Sequence, residues 1–214
     1  LGFIATDAKI SQELLQICLS EAVEQSFNRI TVDGDTSTND ACVLMASGQS
    51  SLPELLPNTS ELLDFQQAVQ EASMQLAEAI IRDGEGATKL IKIHVQQATD
   101  EAEAVQVAKT IAHSPLVKTA FFASDPNWGR ILAAVGRSGV PQLAVEKISI
   151  YLDDVCIVEQ GGCAASYTEA AGQAVMNQEE INVTVILGRG EVTQRVLTCD
   201  FSYDYVRINA EYRT

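Results

Sequence analysis

Short apolar runs alternate with stretches of helical period along the whole of this chain, and several of the runs come in pairs around a turn. Paired runs imply antiparallel strands, whereas runs separated by a helix imply crossovers. A chain with both patterns is expected to fold as an α/β protein whose sheet is at least partly antiparallel. Leu1–Ala5, Ile30–Val32 and Cys42–Ala46 read as strands. Ser11 can cap a helix reaching about Phe27, with Leu14, Leu15, Cys18, Leu19, Ala22 and Val23 on one face. Ser50–Ser60, holding Pro53 and Pro57, is a loop. Glu61 to about Asp83 is helical and is stopped by Gly84 and Gly86.

Lys89–Val95 reads as a strand, and Thr99 or Asp100 starts a helix to about His113. Val117–Ala123 reads as a strand, and Asn127–Gly136 as a short helix entered through Asp125-Pro126. Lys147–Leu152 and Val155–Val158 form a hairpin across Asp153-Asp154. Thr168–Asn177 is helical. Ile181–Leu187 and Val192–Cys199 form a second hairpin across Gly188-Arg189-Gly190. No internal repeat or linker stands out, and a weak seam lies near residues 97–100.

Charge narrows the partners. The net charge is −15, from 29 acidic and 14 basic residues, which argues against nucleic acid and anionic membranes. No run approaches the length needed to span a bilayer. The five cysteines are odd in number, irregularly spaced and without a CxxC pair, so they fit reduced thiols in a cytosol-like compartment. A zinc site is not expected. The opening run lacks an initiator Met, a basic n-region and a cleavage pattern, so it does not read as a secretory signal. Either a longer precursor is cut before Leu1, or residues precede it.

Four segments carry candidate chemistry. Asp33–Asp40 reads Asp-Gly-Asp-Thr-Ser-Thr-Asn-Asp between two apolar runs. A turn needs one or two such residues, so the excess suits a place where polar atoms converge. The same residues would also make a long Asx/Ser/Thr-rich surface turn. Glu85 stands between Gly84 and Gly86, which leaves room for a ligand to approach its carboxylate. A solvated helix stop is the plainer reading. Ser124–Arg130 holds the single Trp, expected in the core or at a subunit contact, and Arg130, expected to pair with a carboxylate. The tail from Asp200 carries four aromatics and an Ile, so it is expected to dock, with Asn209 and Thr214 near a pocket. His94 and His113 show no base-like neighbourhood, and His94 reads as structural.

Taken in order, the octet Asp33–Asp40, Asp83–Lys89, Asp125–Gly139 and Asn209–Thr214 resemble the β chain of the bifunctional arginine-biosynthesis proteins, the ornithine acetyltransferase / glutamate N-acetyltransferase family. The resemblance runs from Phe3-Ile4-Ala5-Thr6-Asp7-Ala8 to Thr214. It implies a self-cleaving precursor in which a Thr becomes the first residue of the β chain and the nucleophile. By that pattern a Thr and a Met stand just before Leu1, and Thr6 is no substitute. It implies ping-pong transfer of acetyl from N-acetylornithine to glutamate through an acetyl-Thr ester. No cofactor is implied, although acetyl-CoA is a possible substrate. The matching substrate-binding positions are Glu85, Asn209 and Thr214. Thr36, Ser37, Thr38 and Asn39 are expected to support the site from beneath. The oxyanion donors and a substrate-binding Lys would lie in the α chain, which completes a D-aminopeptidase-like α/β fold of layered mixed sheets with flanking helices, typically as an α2β2 heterotetramer in the cytoplasm. A hydrolase of the aminopeptidase type and a non-catalytic partner chain are the competing readings.

Overall fold

The computed structural model describes residues 1–212. It divides into two compact units, the first comprising Leu1–Ile30 and Asp35–Ile80, the second Thr31–Gly34 and Ile81–Thr214.

In the first unit, strand β1 (Gly2–Thr6) runs parallel to β2 (Cys42–Ala46), with Gly2 opposite Cys42 and Thr6 opposite Ala46. Helix α1 (Gln12–Gln25) crosses between them, and its first turn is capped by Ser11, whose hydroxyl accepts from Leu14 N. Helix α2 spans Ser60–Arg82. Ala22, Leu44 and Val69 form the core, packed by Ile4, Leu15, Leu19 and Phe65. Only one face of the two-stranded sheet is covered by this core. Phe3 and Met45, on the other face, are 64% and 51% exposed, and Val43 is exposed beside them.

The second unit is built on six strands: β3 (Leu90–Ala98), β4 (Ser149–Leu152), β5 (Val155–Glu159), β6 (Gly162–Cys163), β7 (Glu180–Ile186) and β8 (Val192–Cys199). Their order in the sheet is β6-β5-β4-β7-β3-β8. β3 and β7 are parallel, and every other pairing is antiparallel. Period-two burial puts Ile91, Ile93, Val95, Ile181, Val183 and Val185 on one face. Helices α3 (Glu101–Ala112), α4 (Pro115–Phe122), α5 (Trp128–Gly136) and α6 (Glu169–Met176) contribute Val107, Ile111, Val117, Phe121, Val135 and Met176 to that core. Helix α7 (Tyr203–Glu211) ends the described chain and buries none of its residues.

Four expectations are corrected. Residues 117–122 are helical, because Ser114 accepts from Val117 N and Pro115 occupies the first turn, which together start a helix despite the β-branched and aromatic residues Val117, Thr119, Phe121 and Phe122. β7 and β8 are antiparallel but do not form a hairpin, because β3 lies between them and pairs with both. The Gly188–Gly190 turn crosses the end of β3, with Arg189 N and Gly190 N both donating to Gln97 O at 2.9 Å. No strand forms over residues 30–32, where Thr31 N makes a single bond to Leu197 O of β8 at 3.0 Å. Residues 97–100, the expected seam, lie inside the second unit, as the turn between β3 and the Asp100 cap of α3. The tail docks through its first turn rather than along its length.

Candidate substrate-binding site

The geometry centres on two stretches far apart in sequence: the turn after α2, residues 83–89, and the start of α7. Gly84 N closes the helix on Ile81 O at 3.2 Å, and the chain then reverses toward β3. Gly86 takes φ +67°, a left-handed conformation that favours glycine. A Cβ there would lie 2.5 Å from Tyr205 N and 2.7 Å from Ser202 Oγ. The room made by Gly86 is therefore filled by the start of α7, and not by a ligand.

Asp200 joins the two stretches. It is 1% exposed, and its carboxylate accepts from Thr88 N at 2.8 Å, Thr88 Oγ1 at 2.6 Å and Lys89 N at 2.9 Å. Ser202 then works in both directions. Its hydroxyl donates to Gly86 O at 2.6 Å and accepts from Tyr205 N at 3.3 Å, which caps α7. Tyr205 stacks on Phe201 with ring centroids 4.5 Å apart, and its hydroxyl donates to Asp33 Oδ2 at 3.0 Å.

Two lysines lie under this joint. Lys118 is 1% exposed; it donates to Thr198 Oγ1 and to the carbonyl of Cys199 and sits 4.6 Å over the Phe201 ring. Burial pulls its ammonium down to about 8, against the opposing attraction of Asp200 and Asp33. Lys89 donates to Phe121 O and Ser124 Oγ, and burial lowers it too, against Asp200. Cys199 is pushed up by burial.

On top of this joint, Glu85 and Asn209 meet. Asn209 Nδ2 donates to Glu85 Oε2 at 2.7 Å and to Tyr205 O at 3.0 Å. Both side chains are exposed. The sequence named both residues, and the structure brings them together across 124 positions. Thr214, the third expected position, lies outside the described residues.

The polar octet divides. Asp33 reaches the joint through Tyr205. Thr36, Ser37, Thr38 and Asn39 belong to the first unit and are exposed. The bonds of these four stay local, with Thr38 Oγ1 donating to Asn39 Oδ1 at 2.9 Å and Asn39 N to Ser37 Oγ at 3.3 Å. Their geometry is that of a surface turn. Trp128 packs against the main core. Arg130 donates to Leu116 O at 2.9 Å, a carbonyl where a carboxylate was expected. His94 lies in a different polar hollow of about 680 Å³ on the sheet, with Gln96, Asn182 and Thr184 beside it. Burial, then Arg195, lowers its pKa. Asp153 there already accepts from Asn182 N and Nδ2. Glu180 pairs with Lys92 and Arg82. Among the described residues no His/Cys/Asp/Glu group could hold a metal ion.

Asp200, Ser202 and Lys118 were not visible from sequence. Their partners lie 80 to 116 positions away, and no local spacing marks them.

A family model described as "ArgJ family" matches residues 1–214. The arginine biosynthesis bifunctional protein ArgJ of Methylococcus capsulatus is 62% identical over the whole chain, which covers 52% of that protein. The protein of that name from Pseudomonas fluorescens is 56% identical, with 53% of its length covered. The chain thus spans about half the length of the curated relatives it matches. A crystal structure of arginine biosynthesis bifunctional protein ArgJ from Bacillus halodurans superimposes with a TM-score of 0.93 at 43% identity, over 99% of both chains. With the match to the family model running from first residue to last, this chain belongs to the ArgJ family.

Proposed function

We propose that this chain is the downstream, β half of a self-processed acetyltransferase that moves acetyl from N-acetylornithine to glutamate. The observation that carries the reading is the Glu85–Asn209 contact, which sets a carboxylate beside an amide on an exposed surface. Glu85 offers a negative charge to the side-chain ammonium of ornithine. The Asn209 amide, with its two N–H groups given to Glu85 and Tyr205, offers its Oδ1 as an acceptor to the amino-acid end of the substrate. Thr214, two positions past Tyr212, is proposed as a further hydrogen-bonding group there.

The nucleophile is the Thr that, with a Met after it, precedes Leu1 in the family pattern, and cleavage of the precursor frees it. A Thr hydroxyl is weak at its own pKa and needs a base. Its new α-amine, with an ordinary pKa of about 7.7–8.0, can take the hydroxyl proton near neutral pH. The alkoxide attacks the acetyl carbonyl, the amide C–N bond breaks, and the proton passes to the departing ornithine amine. Glutamate then attacks the ester through its α-amine, forming N-acetylglutamate and restoring the Thr hydroxyl. Donors for the oxyanion come from the companion half. Acetyl-CoA is a candidate second acetyl donor, in keeping with the word "bifunctional" in the relatives' names.

The companion is the α half of the same precursor, supported by relatives about twice as long. It covers the open face of β1–β2, where Phe3, Val43 and Met45 are exposed. Strands of parallel sheets are ordinarily buried on both faces. The assembly is α2β2 and cytoplasmic, and no described helix is long and apolar enough to cross a membrane.

The test is acetyl exchange by the whole precursor. N-acetylglutamate should form only when both N-acetylornithine and glutamate are present. Acetate release at the same rate without glutamate would replace the transferase by a hydrolase.

A further inference from the structure

We propose that Asp200 is the positioning residue of the substrate-binding pair, holding the turn that carries Glu85 against the helix that carries Asn209. The inference rests on the roles given to Glu85 and Asn209 above. An exposed hydrogen bond between two side chains contributes little by itself, because water competes for both partners. The 2.7 Å contact between Asn209 and Glu85 must therefore be set from beneath.

What lies beneath is a clasp centred on a carboxylate 1% exposed. Asp200 takes two backbone N–H groups and one hydroxyl from Thr88 and Lys89, three and four residues beyond Glu85. Two residues further on, Ser202 both binds Gly86 O and caps α7. One short segment thus fixes the turn on one side and the first turn of α7 on the other. Asn209 lies about two helical turns beyond that cap. A carboxylate accepting three bonds is suited to this task, since each bond to an ionised acceptor is stronger than a neutral one. Lys118 holds the preceding carbonyl of Cys199, and its charge faces Asp200 across the joint.

The experiment uses the whole precursor after cleavage, with D200N, T88V, T88S, E85Q and the E85Q/D200N double variant. D200N and T88V should each raise KM for N-acetylornithine about 5- to 10-fold with kcat within about twofold of the parent. T88S, which keeps the hydroxyl, should restore the parental value. On the E85Q background D200N should add less than about twofold, because it acts through the same pair. Amide hydrogen exchange should speed up in both the 85–89 and the 203–209 segments of D200N. Unchanged exchange in those segments overturns the proposal, as does a fall in kcat at constant KM, or a D200N effect that multiplies fully with E85Q. Should D200N fail to assemble, T88V and T88S decide it. A parental KM for E85Q would refute the role of Glu85 in substrate binding, and the exchange data would then decide the clasp alone.

Discussion

Glu85 reads in the sequence as a carboxylate between two glycines, and in the structure as the acceptor of Asn209. E85Q removes its charge and little else. We expect KM for N-acetylornithine to rise about tenfold, roughly 1.4 kcal/mol, with thermal stability unchanged within about 0.5 kcal/mol. Steady-state kinetics beside a melting curve checks both. Lys118 allows a prediction with a sign. Its folded pKa of about 8 lies below that of an unfolded lysine, so between those values the unfolded chain binds more protons. Stability contributed at this site should therefore rise as pH climbs through about 8, and be flat below it. K118M should lose that slope, seen as a parent-minus-variant difference in melting temperature between about pH 7 and 9. Above that range the raised Cys199 thiol opposes the trend. The two residues of the pair were legible because the resemblance is carried by short motifs. The joint under them was not, since Asp200 is an unremarkable acid until the fold puts Thr88 against it.

At the scale of elements, most helices could be read from period and caps. Ser11 caps the helix assigned to it, and where two residues competed, Asp100 rather than Thr99 caps α3 and Asn127 rather than Asp125 caps α5. The failure at α4 was a choice between two signals. Val117–Ala123 holds Val117, Thr119, Phe121 and Phe122, residues that favour strands, but Ser114-Pro115 is a helix start, and the cap prevailed because the helix buries Val117, Lys118, Ala120 and Phe121 together. Pairing was harder. Turn chemistry at Gly188–Gly190 shows that the chain reverses, and says nothing of a third strand inserted between the two arms. That partner is supplied by residues about 90 positions earlier, which is long-range information. At Gly86 element geometry gives a prediction. G86A places a methyl into Tyr205 N and Ser202 Oγ at a positive φ. It should destabilise the joint by about 2 kcal/mol or more, and raise KM for N-acetylornithine with it, as read by denaturant unfolding and kinetics.

Across the whole molecule, an acidic chain of mixed α/β pattern was expected and found, while the division into units was not. The break falls at Ile80/Ile81, inside a helix whose periodicity runs on without interruption, so no composition shift announces it. The exposed Phe3, Val43 and Met45 face belongs to this scale. F3D with M45K should block association with the separately expressed α half while leaving the far-ultraviolet circular dichroism of this half near parental. Association at parental affinity would place the companion elsewhere. The central proposal is covalent: the Thr that, with a Met after it, precedes Leu1 carries the acetyl group between substrates. It is tested most directly by mixing the cleaved precursor with N-acetylornithine alone, quenching in acid, and mapping the mass of the downstream half. The account predicts one added acetyl on that first Thr, lost when glutamate is supplied before the quench. An acetyl group found on any other residue, or none on an enzyme that still turns over, would contradict it.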